Sequence, residues 1–197
     1  MFFKTLKYMN WFASQCRKVM YNMAFGTKFR YFGKACTLEI NGQVKIGNNV
    51  YIGDHASLIV EKGAVLEIAD NSFIGENCYI KCFGGKVVIG KDVSINSKSY
   101  INGCGGVTIG DNTRIGTQSI MIASNHKFGE PDLLVKDAIT KLGVSLGENI
   151  WLGARVTVLD GVTIPSNSVI GACSLVSKPL DDAGVYVGSP VKKIKNL

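Results

Sequence analysis

Aliphatic residues recur every six positions along most of the chain. The cleanest series runs Leu146, Leu152, Val158, Ile164, Ile170 and Val176. A period of six matches neither the 3.6-residue period of a helix nor the two-residue period of an ordinary strand. Steps of six residues, each with one inward-facing aliphatic residue, predict a coil with three flat faces and three such steps in each turn.

An internal repeat marks successive turns of this coil. Similar runs of one aliphatic, one small and two polar residues begin at Ile46, Ile68, Ile89, Ile109 and Leu146, so their starts lie 22, 21, 20 and 37 residues apart. The shorter spacings equal one turn plus two to four loop residues. The spacing of 37 equals two turns plus one residue, or one turn plus an excursion of 19 residues. Residues 125–143 lack the six-residue pattern, which favours the excursion and predicts a stacked solenoid with one long loop.

The first part of the chain has a different pattern. Apolar residues spaced by three or four positions, from Phe3 to Met23, predict an amphipathic helix that stops near Gly26. Polar and charged residues interrupt every apolar run, which argues against a signal peptide or a membrane span. The patterns divide the chain into a helical arm at 1–36, a solenoid domain at 37–178 and a closing segment at 179–197.

The net charge of +7 is concentrated in this arm. Residues 1–34 contain seven Lys or Arg and no acidic residue, while the remaining residues contain 15 of each sign. The asymmetry favours an acidic partner surface, such as the anionic lipid on the cytoplasmic face of a membrane. The alternative is a cap over the open end of the solenoid, and both roles are compatible. No nucleic-acid-binding module accompanies the charge, so we expect no nucleic-acid partner.

The cysteines and histidines limit the chemistry. Six cysteines occur, with ligand-like spacing only at Cys78 and Cys82, and two histidines are too few to complete a metal site. We therefore expect no metal, and we interpret the cysteines as reduced thiols of a cytoplasmic protein.

Several motifs together carry a resemblance to a known family. They are the hexads, Ser124-Asn125-His126, Trp151-Leu-Gly-Ala, Ile170-Gly-Ala, Ser177-Lys178 and Gly188-Ser-Pro. In order and spacing they resemble the hexapeptide-repeat O-acetyltransferases, among them the maltose and galactoside acetyltransferases and those of surface-polysaccharide gene clusters. The resemblance covers about residues 40–195. It implies a mainly β protein, a left-handed parallel β-helix with a loop protruding near 126–145, and a homotrimer with active sites between subunits.

The same resemblance implies transfer of an acetyl group from acetyl-CoA to a sugar or polysaccharide hydroxyl. His126 is the predicted general base, because an imidazole titrates near neutrality and can take a proton from a hydroxyl that attacks a thioester. An isolated loop histidine is more often an ordinary surface residue, and the match at Asn125-His126 is what favours catalysis. His55 lies inside a hexad and is predicted to be structural.

Further residues are predicted to contact the acceptor or to orient His126. Asn96 precedes His126 by five hexad steps and matches the substrate-contacting asparagine of the sugar acetyltransferases, although asparagine is also common at solenoid corners. Asn102 is the competing position. Glu130, or otherwise Asp132, is predicted to orient the imidazole. Trp151 either walls the site or packs on a coil face.

Six residues are predicted to bind acetyl-CoA, and the resemblance supplies their roles. They are Ala154, Ala172, Ser177, Lys178, Lys192 and Lys195. The two alanines lie along the pantetheine arm, and the backbone N–H of Ala154 is suited to hold the oxyanion. The next pair lies near the phosphates and the last two lysines face the nucleotide. The family often has Arg at these last two positions, so Lys changes the contact geometry. The alternative is a tail that only adds solubility.

Two other functions remain open at this stage. The first is N-acetylation of an amino sugar or another amine, as in the xenobiotic acetyltransferases of the same superfamily. The second is a non-catalytic solenoid that serves as an assembly platform.

Overall fold

The computed structural model describes the backbone of residues 2–127 and 138–197 and the side chains of residues 9–127 and 138–197. One helix, α1 (Phe2–Phe25), precedes a series of short strands. The strands are β1 (Tyr31–Phe32), β2 (Thr37–Ile40), β3 (Gln43–Ile46), β4 (Tyr51–Ile52), β5 (Ser57–Val60), β6 (Val65–Ile68), β7 (Phe73–Ile74), β8 (Tyr79–Cys82), β9 (Lys86–Ile89), β10 (Ser94–Ile95), β11 (Tyr100–Asn102), β12 (Val107–Ile109), β13 (Arg114–Ile115), β14 (Ile120–Ile122), β15 (Asn125–His126), β16 (Ile139–Thr140), β17 (Val144–Leu146), β18 (Trp151–Leu152), β19 (Thr157–Val158), β20 (Thr163–Ile164), β21 (Val169–Ile170), β22 (Leu175–Val176), β23 (Val185–Val187) and β24 (Lys192–Lys195).

Three sheets wind around a common core, and their strands are parallel except for β24, which pairs antiparallel with β23. The first sheet runs β1-β4-β7-β10-β13-β18-β21-β23-β24, the second β2-β5-β8-β11-β14-β19-β22, and the third β3-β6-β9-β12-β17-β20. Each turn contributes one strand to each sheet, so we number the turns as coils one to six, with β21 and β22 beginning a seventh. These features confirm the predicted left-handed parallel β-helix of hexapeptide repeats with an N-terminal helical arm.

The hexad aliphatics form the core, as predicted. Leu152, Val158 and Ile164, one from each sheet of coil six, are fully buried, and their counterparts in the other coils are buried too, except that Leu38 of coil one is half-buried. In-register pairs such as Leu152 with Ile170 stack each aliphatic side chain on the next. Burial of a Val, Leu or Ile side chain contributes about 1.5–3 kcal/mol, so this ladder is the main source of stability.

Three corners connect the sheets, and we name them by position. The first corner joins the first sheet to the second (33–35, 53–55, 75–77, 96–98, 116–118, 153–155 and 171–173). The second joins the second sheet to the third (41–42, 61–64, 83–85, 103–106, 123–143 and 159–162), and the third returns to the first sheet (47–49, 69–71, 90–92, 110–112, 147–149 and 165–167). At the first and third corners the last residue of each group has a positive φ, for example Asn77 at 55° and Asn149 at 54°. Asparagine adopts this left-handed conformation more readily than most residues, which explains its frequency after the hexad aliphatics.

Close stacking at the first corner restricts side-chain size. A Cβ added to Gly153 would lie 2.5 Å from the backbone nitrogen of Ala172 in the next coil, and one added to Gly116 would lie 2.4 Å from the carbonyl carbon of Gly153. The close approach of neighbouring backbones favours glycine in this column, which only coil four fills with a larger residue, Asn96.

The excursion occurs at the second corner of coil five. In coil four this corner consists only of residues 103–106, between Asn102 and Val107, whereas in coil five it extends over residues 123–143, between Ile122 and Val144. The third sheet nevertheless continues in register, since Val107 pairs with Val144. The spacing of 37 is therefore one turn plus an excursion, as the sequence predicted.

Helix α1 packs on coil one through its last turns. The ring of Tyr21 stacks on Phe32 with centroids 3.8 Å apart, and Phe25 meets Phe29 edge-on at 5.9 Å. Asn22 accepts a hydrogen bond from the Phe29 amide at 2.7 Å. These contacts cover the start of the core. Within the described residues no helix has the length and hydropathy needed to cross a membrane.

Candidate active site

His126 lies at the base of the excursion, on a short strand pair. β15 and β16 run antiparallel, with Asn125 opposite Thr140 and His126 opposite Ile139. The amide of Lys127 adds a hydrogen bond of 3.0 Å to the carbonyl of Ala138. The His126 side chain is exposed, and its backbone N–H donates to Oδ1 of Asn125 at 2.9 Å. The imidazole is therefore carried by a small hairpin at the second corner.

One acid beside this hairpin was missed by the sequence analysis. Asp160, at the second corner of coil six, accepts a hydrogen bond from the Thr140 hydroxyl at 2.7 Å and another from the Gly143 amide at 2.8 Å. Hexad register contained the signal, because Met121 pairs with Val158, so Asp160 stacks above Ala123, where the excursion begins. The acids predicted to orient His126, Glu130 and Asp132, lie outside the described residues.

The two predicted acceptor-contacting asparagines occupy different corners. Asn96 is exposed at the first corner of coil four, where its Nδ2 donates to the carbonyl of Ile115 at 2.8 Å. Asn102 ends β11, directly before the second corner of the same coil, and its Oδ1 accepts from the Cys104 amide at 3.0 Å. Within one chain only Asn102 shares the corner of His126, because it precedes the short loop directly below the excursion.

Ala154 and Ala172 stack at the first corner of successive coils, as their separation of three hexads predicts. The Cys173 amide donates to the carbonyl of Ala154 at 2.9 Å, which fixes the step between the coils. Among the described residues, the N–H of Ala154 has no acceptor. Ala154 is half-buried and Ala172 is exposed, so two small side chains are accessible at this corner.

The predicted cationic residues lie at the end of the solenoid. Lys178 is exposed after β22, and Lys192 and Lys195 are exposed on β24, which pairs antiparallel with β23 at the edge of the first sheet. None of the three lies within 4.0 Å of an acidic group among the described residues. Lys193, by contrast, contacts Asp182 at 2.5 Å, and this hydrogen bond holds the pKa of Asp182 below its ordinary value.

The remaining predicted residues lie on the outer surface. Trp151 is 59% exposed on the first sheet, between Arg114 of coil five and Val169 of coil seven. Ser177 is half-buried directly after β22. His55 is exposed at the first corner of coil two with a φ of 59°.

These residues form two groups on one chain. His126 and Asn102 lie at the second corner, whereas Asn96, Ala154 and Ala172 lie at the first corner, across the second sheet. The structure therefore does not bring the predicted base together with the predicted oxyanion donor within a single subunit.

Comparison with known sequences identifies the repeat. Residues 143–178 match the family model described as the hexapeptide repeat of succinyl-transferase. A galactoside O-acetyltransferase of Lactococcus lactis is 38% identical over 125 residues, which cover 60% of each protein. A probable acetyltransferase of Mycobacterium tuberculosis is 30% identical over 155 residues, which cover 78% of this chain. The chain spans 44% of the length of that relative and 60% of the galactoside enzyme.

Solved structures share the same fold. The polysialic-acid-specific acetyltransferase NeuO aligns with a TM-score of 0.61 and 26% identity, covering 87% of this chain and 76% of its own. The N-acyltransferase AntD of Bacillus cereus, in complex with dTDP-4-amino-4,6-dideoxyglucose and coenzyme A, aligns with a TM-score of 0.60 and 23% identity. That alignment covers 91% of this chain and 88% of AntD.

Proposed function

We propose that this chain, a hexapeptide-repeat protein related to the acetyltransferases, is an acetyl-CoA-dependent O-acetyltransferase that acts on a sugar or polysaccharide hydroxyl. The observation that carries the proposal is His126, which stands on the one hairpin that leaves the described solenoid. The L. lactis relative is named for transfer to a galactoside, and NeuO is named for transfer to polysialic acid. Both acceptors are carbohydrates, which supports this class of acceptor.

In the proposed reaction a ring nitrogen of His126 takes the proton of the acceptor hydroxyl. The oxygen attacks the thioester carbonyl carbon of acetyl-CoA, and the N–H of Ala154 donates to the oxyanion that forms. The intermediate then collapses: the carbon–sulfur bond breaks, and the imidazolium returns its proton to the CoA thiolate. No covalent enzyme intermediate is needed. Burial raises the pKa of the Cys82 thiol to about 11, which makes that thiol an unsuitable nucleophile.

The cofactor is proposed to follow the first corner. Ala154 and Ala172 leave room for the pantetheine arm, and Ser177 and Lys178 lie towards its phosphates. Lys192 and Lys195, which have no acidic partner among the described residues, are available for the nucleotide. Cationic side chains at these positions suit the phosphate groups of CoA.

A homotrimer is part of the proposal, because a single chain separates the two groups of residues. In a three-fold arrangement the second corner of one subunit faces the first corner of the next. His126 would then meet the cofactor corner and Asn96 of a neighbour, and Trp151, exposed on the adjoining sheet, would wall the acceptor pocket. Self-association into closed symmetric rings is common for soluble proteins.

The decisive experiment compares the two histidines. We expect His126→Ala to lower acetyl transfer by about 10²–10⁴-fold, the usual range for loss of a general base, while calorimetry still detects CoA binding. His55→Ala is the matched control and keeps near-wild-type turnover. Full turnover by a His126→Ala trimer that binds CoA would contradict the mechanism, and absence of CoA binding in the wild type would favour a non-catalytic platform.

The N-acyltransferase AntD has the same fold, so this fold is compatible with amine acceptors as well as hydroxyl acceptors. Competition between sugars matched except for a hydroxyl or an amino group tests this point. We expect the hydroxyl acceptor to be used, and preferential consumption of the amine would replace the proposal by N-acetylation.

We further propose that the arm contacts the inner face of a membrane from a cytoplasmic position. One side of α1 is apolar and exposed, at Met9, Phe12, Cys16, Val19, Met20 and Met23. This side points away from Tyr21 and Phe25, which pack on coil one. Residues 1–34 contain seven Lys or Arg and no Asp or Glu, and this positive charge complements anionic lipid.

Flotation with phosphatidylserine-containing vesicles tests this contact. We expect the double variant Met20→Gln, Met23→Gln to lose flotation, because it removes exposed apolar surface while leaving the packed aromatic residues in place. Equal flotation by the variant rejects the membrane contact. Concentration-dependent association without vesicle binding would instead show that a second copy covers this side of the helix.

A further inference from the structure

The hairpin that carries His126 needs an anchor. Within the described residues its strands are joined by two residue pairs and by the bond from the Lys127 amide to Ala138, and an isolated two-stranded hairpin is marginally stable in water. The direction of the hairpin relative to the solenoid, and hence the position of the imidazole, must therefore be set by contacts with the neighbouring coil.

Asp160 supplies those contacts. Its Oδ2 accepts from the Thr140 hydroxyl at 2.7 Å, and its Oδ1 accepts from the amide of Gly143 at 2.8 Å, where the returning segment rejoins the coil. The same hydroxyl lies 3.3 Å from the carbonyl of Asn125, on the outgoing strand. The Gly161 amide donates back to the carbonyl of Gly143 at 2.7 Å. One half-buried carboxylate thus holds two points of the returning segment, and one of these points touches the strand that bears His126.

The bond types favour a firm anchor. Hydrogen bonds to a carboxylate are roughly twice as strong as those between neutral groups. Both oxygens are used, so the carboxylate plane is fixed as well as its position. Thr140 lies directly opposite Asn125 in the strand pair, one residue from His126.

From this geometry we propose that Asp160 is a positioning residue for His126. It holds the hairpin so that the imidazole reaches the acceptor hydroxyl, and it touches neither the substrate nor the cofactor itself. The inference rests on the proposed acetyl transfer. A displacement of about 1 Å at a catalytic group can cost on the order of 10²-fold in rate.

The test is a set of variants read by steady-state kinetics. We expect Asp160→Ala to lower kcat by about 10–100-fold with little change in KM for acetyl-CoA, because the proposed cofactor corner is elsewhere. Thr140→Val removes one of the two bonds and should have a smaller effect. Asp160→Asn keeps the shape and the acceptor for Gly143, and should restore most of the rate. A wild-type kcat in Asp160→Ala overturns the proposal.

Asp111→Ala is the matched control. Asp111 also accepts a backbone hydrogen bond, from Lys91 at 2.7 Å, but it does so at the third corner. We expect it to keep wild-type kcat. An equal loss of kcat in this control would mean that any corner carboxylate has the same effect, and would reject a specific role of Asp160.

A double-mutant cycle separates positioning from a general structural effect. Once His126 is replaced by Ala, Asp160→Ala should lower the residual rate no further, because there is no imidazole left to position. The same fold-loss in both backgrounds would show that Asp160 acts independently of His126 and would overturn the inference.

Hydrogen exchange distinguishes failure of this inference from failure of the proposed function. In Asp160→Ala the amide of Lys127, which bonds across the hairpin, should exchange faster, whatever reaction the protein catalyses. An unchanged exchange rate would show that Asp160 does not anchor the hairpin. Faster exchange in a protein that transfers no acetyl group would leave the anchor in place and reject the enzymatic role.

Discussion

The first corner and the second corner of this solenoid obey different constraints. At the first corner a Cβ added to Gly116 or Gly153 would come within 2.5 Å of the neighbouring backbone, and every coil closes this corner over the same number of residues. At the second corner coil four closes over residues 103–106 and coil five over residues 123–143, yet the third sheet continues in register. Stacking requirements are therefore local to each corner, and a loop can grow at one corner without disturbing the others.

The two histidines illustrate this difference. His55 takes one of the repeated left-handed positions at the first corner, while His126 stands on the hairpin that breaks the repeat. A residue that serves the repeat can be exchanged for others that suit the same backbone angle. A residue on the excursion does not have to suit the repeated backbone angle, and functional residues are often found on such loops of a rigid scaffold.

The largest effect is expected from removing the excursion altogether. Replacing residues 124–142 by the Cys-Gly dipeptide of coil four should abolish acetyl transfer, since His126 is lost. The solenoid should persist with a similar Tm, because coils five and six keep their register and a shorter loop costs less entropy to close. Circular dichroism and a transfer assay measure both outcomes, and loss of the β signal would show that the excursion supports the fold.

A smaller effect, on the free energy of unfolding, is expected at the first corner. Gly153→Ala should lower the free energy of unfolding by about 1–3 kcal/mol, the usual cost of overpacking, and Tm falls by about 2–4 °C for each kcal/mol in a chain of this size. Ser97→Ala, at the same corner of coil four, is the control and should be near neutral. A wild-type Tm for Gly153→Ala would mean that neighbouring coils separate without cost.

His55→Asn should increase stability slightly. With a φ of 59°, His55 adopts a conformation that asparagine adopts at Asn77 and Asn149, so we expect a gain of at most about 1 kcal/mol. The backbone of His126 does not have a positive φ, so His126→Asn should give no such gain. Thermal melts of the two variants side by side decide the point.

The smallest effect concerns acid stability at the first corner of coil two. The Tyr31 hydroxyl donates to Asp54 at 2.6 Å. Burial would raise the pKa of Asp54, but hydrogen bonds from Tyr31 and the Lys34 amide outweigh it and lower that pKa. Burial and the same hydrogen bond raise the pKa of Tyr31 to about 12.

The sign of the pH dependence follows from these shifts. The Asp54 contribution is complete above its unfolded pKa, near 4, and is lost as pH falls through the lowered folded value. The Tyr31 contribution is complete below pH 10 and is lost as pH rises towards 12. Tyr31→Phe should therefore differ most from the wild type between about pH 4 and 10, and less below pH 4. A constant difference down to pH 2 in denaturant titrations would contradict this assignment.

Much of the fold could be predicted from the sequence, because its core follows a strict period. The series from Leu146 to Val176 specifies both burial and coil length, and the irregular spacing before Leu146 locates the excursion. The anchor at Asp160 was missed, because it depends on which residue of the next coil lies above the start of the excursion. Hexad register carries that information, but a carboxylate before a glycine at a corner has no distinctive pattern of its own. The proposed site also draws on two corners, which would meet only between subunits, whereas the six-residue period describes contacts within one chain.

The coil-to-coil pairing has a consequence for how the chain reaches its native state. Ser94 pairs with Arg114, its counterpart one turn later, and the pairs that do not span the excursion are joined over similar distances in sequence. Partners therefore lie about one tenth of the chain apart, a separation nearer to that of helical proteins than of most β proteins. We expect the chain to fold by winding outward from any preformed turn, with each new coil using the previous one as its template. The passage across the excursion, where Val107 must find Val144, is the step at which winding should slow.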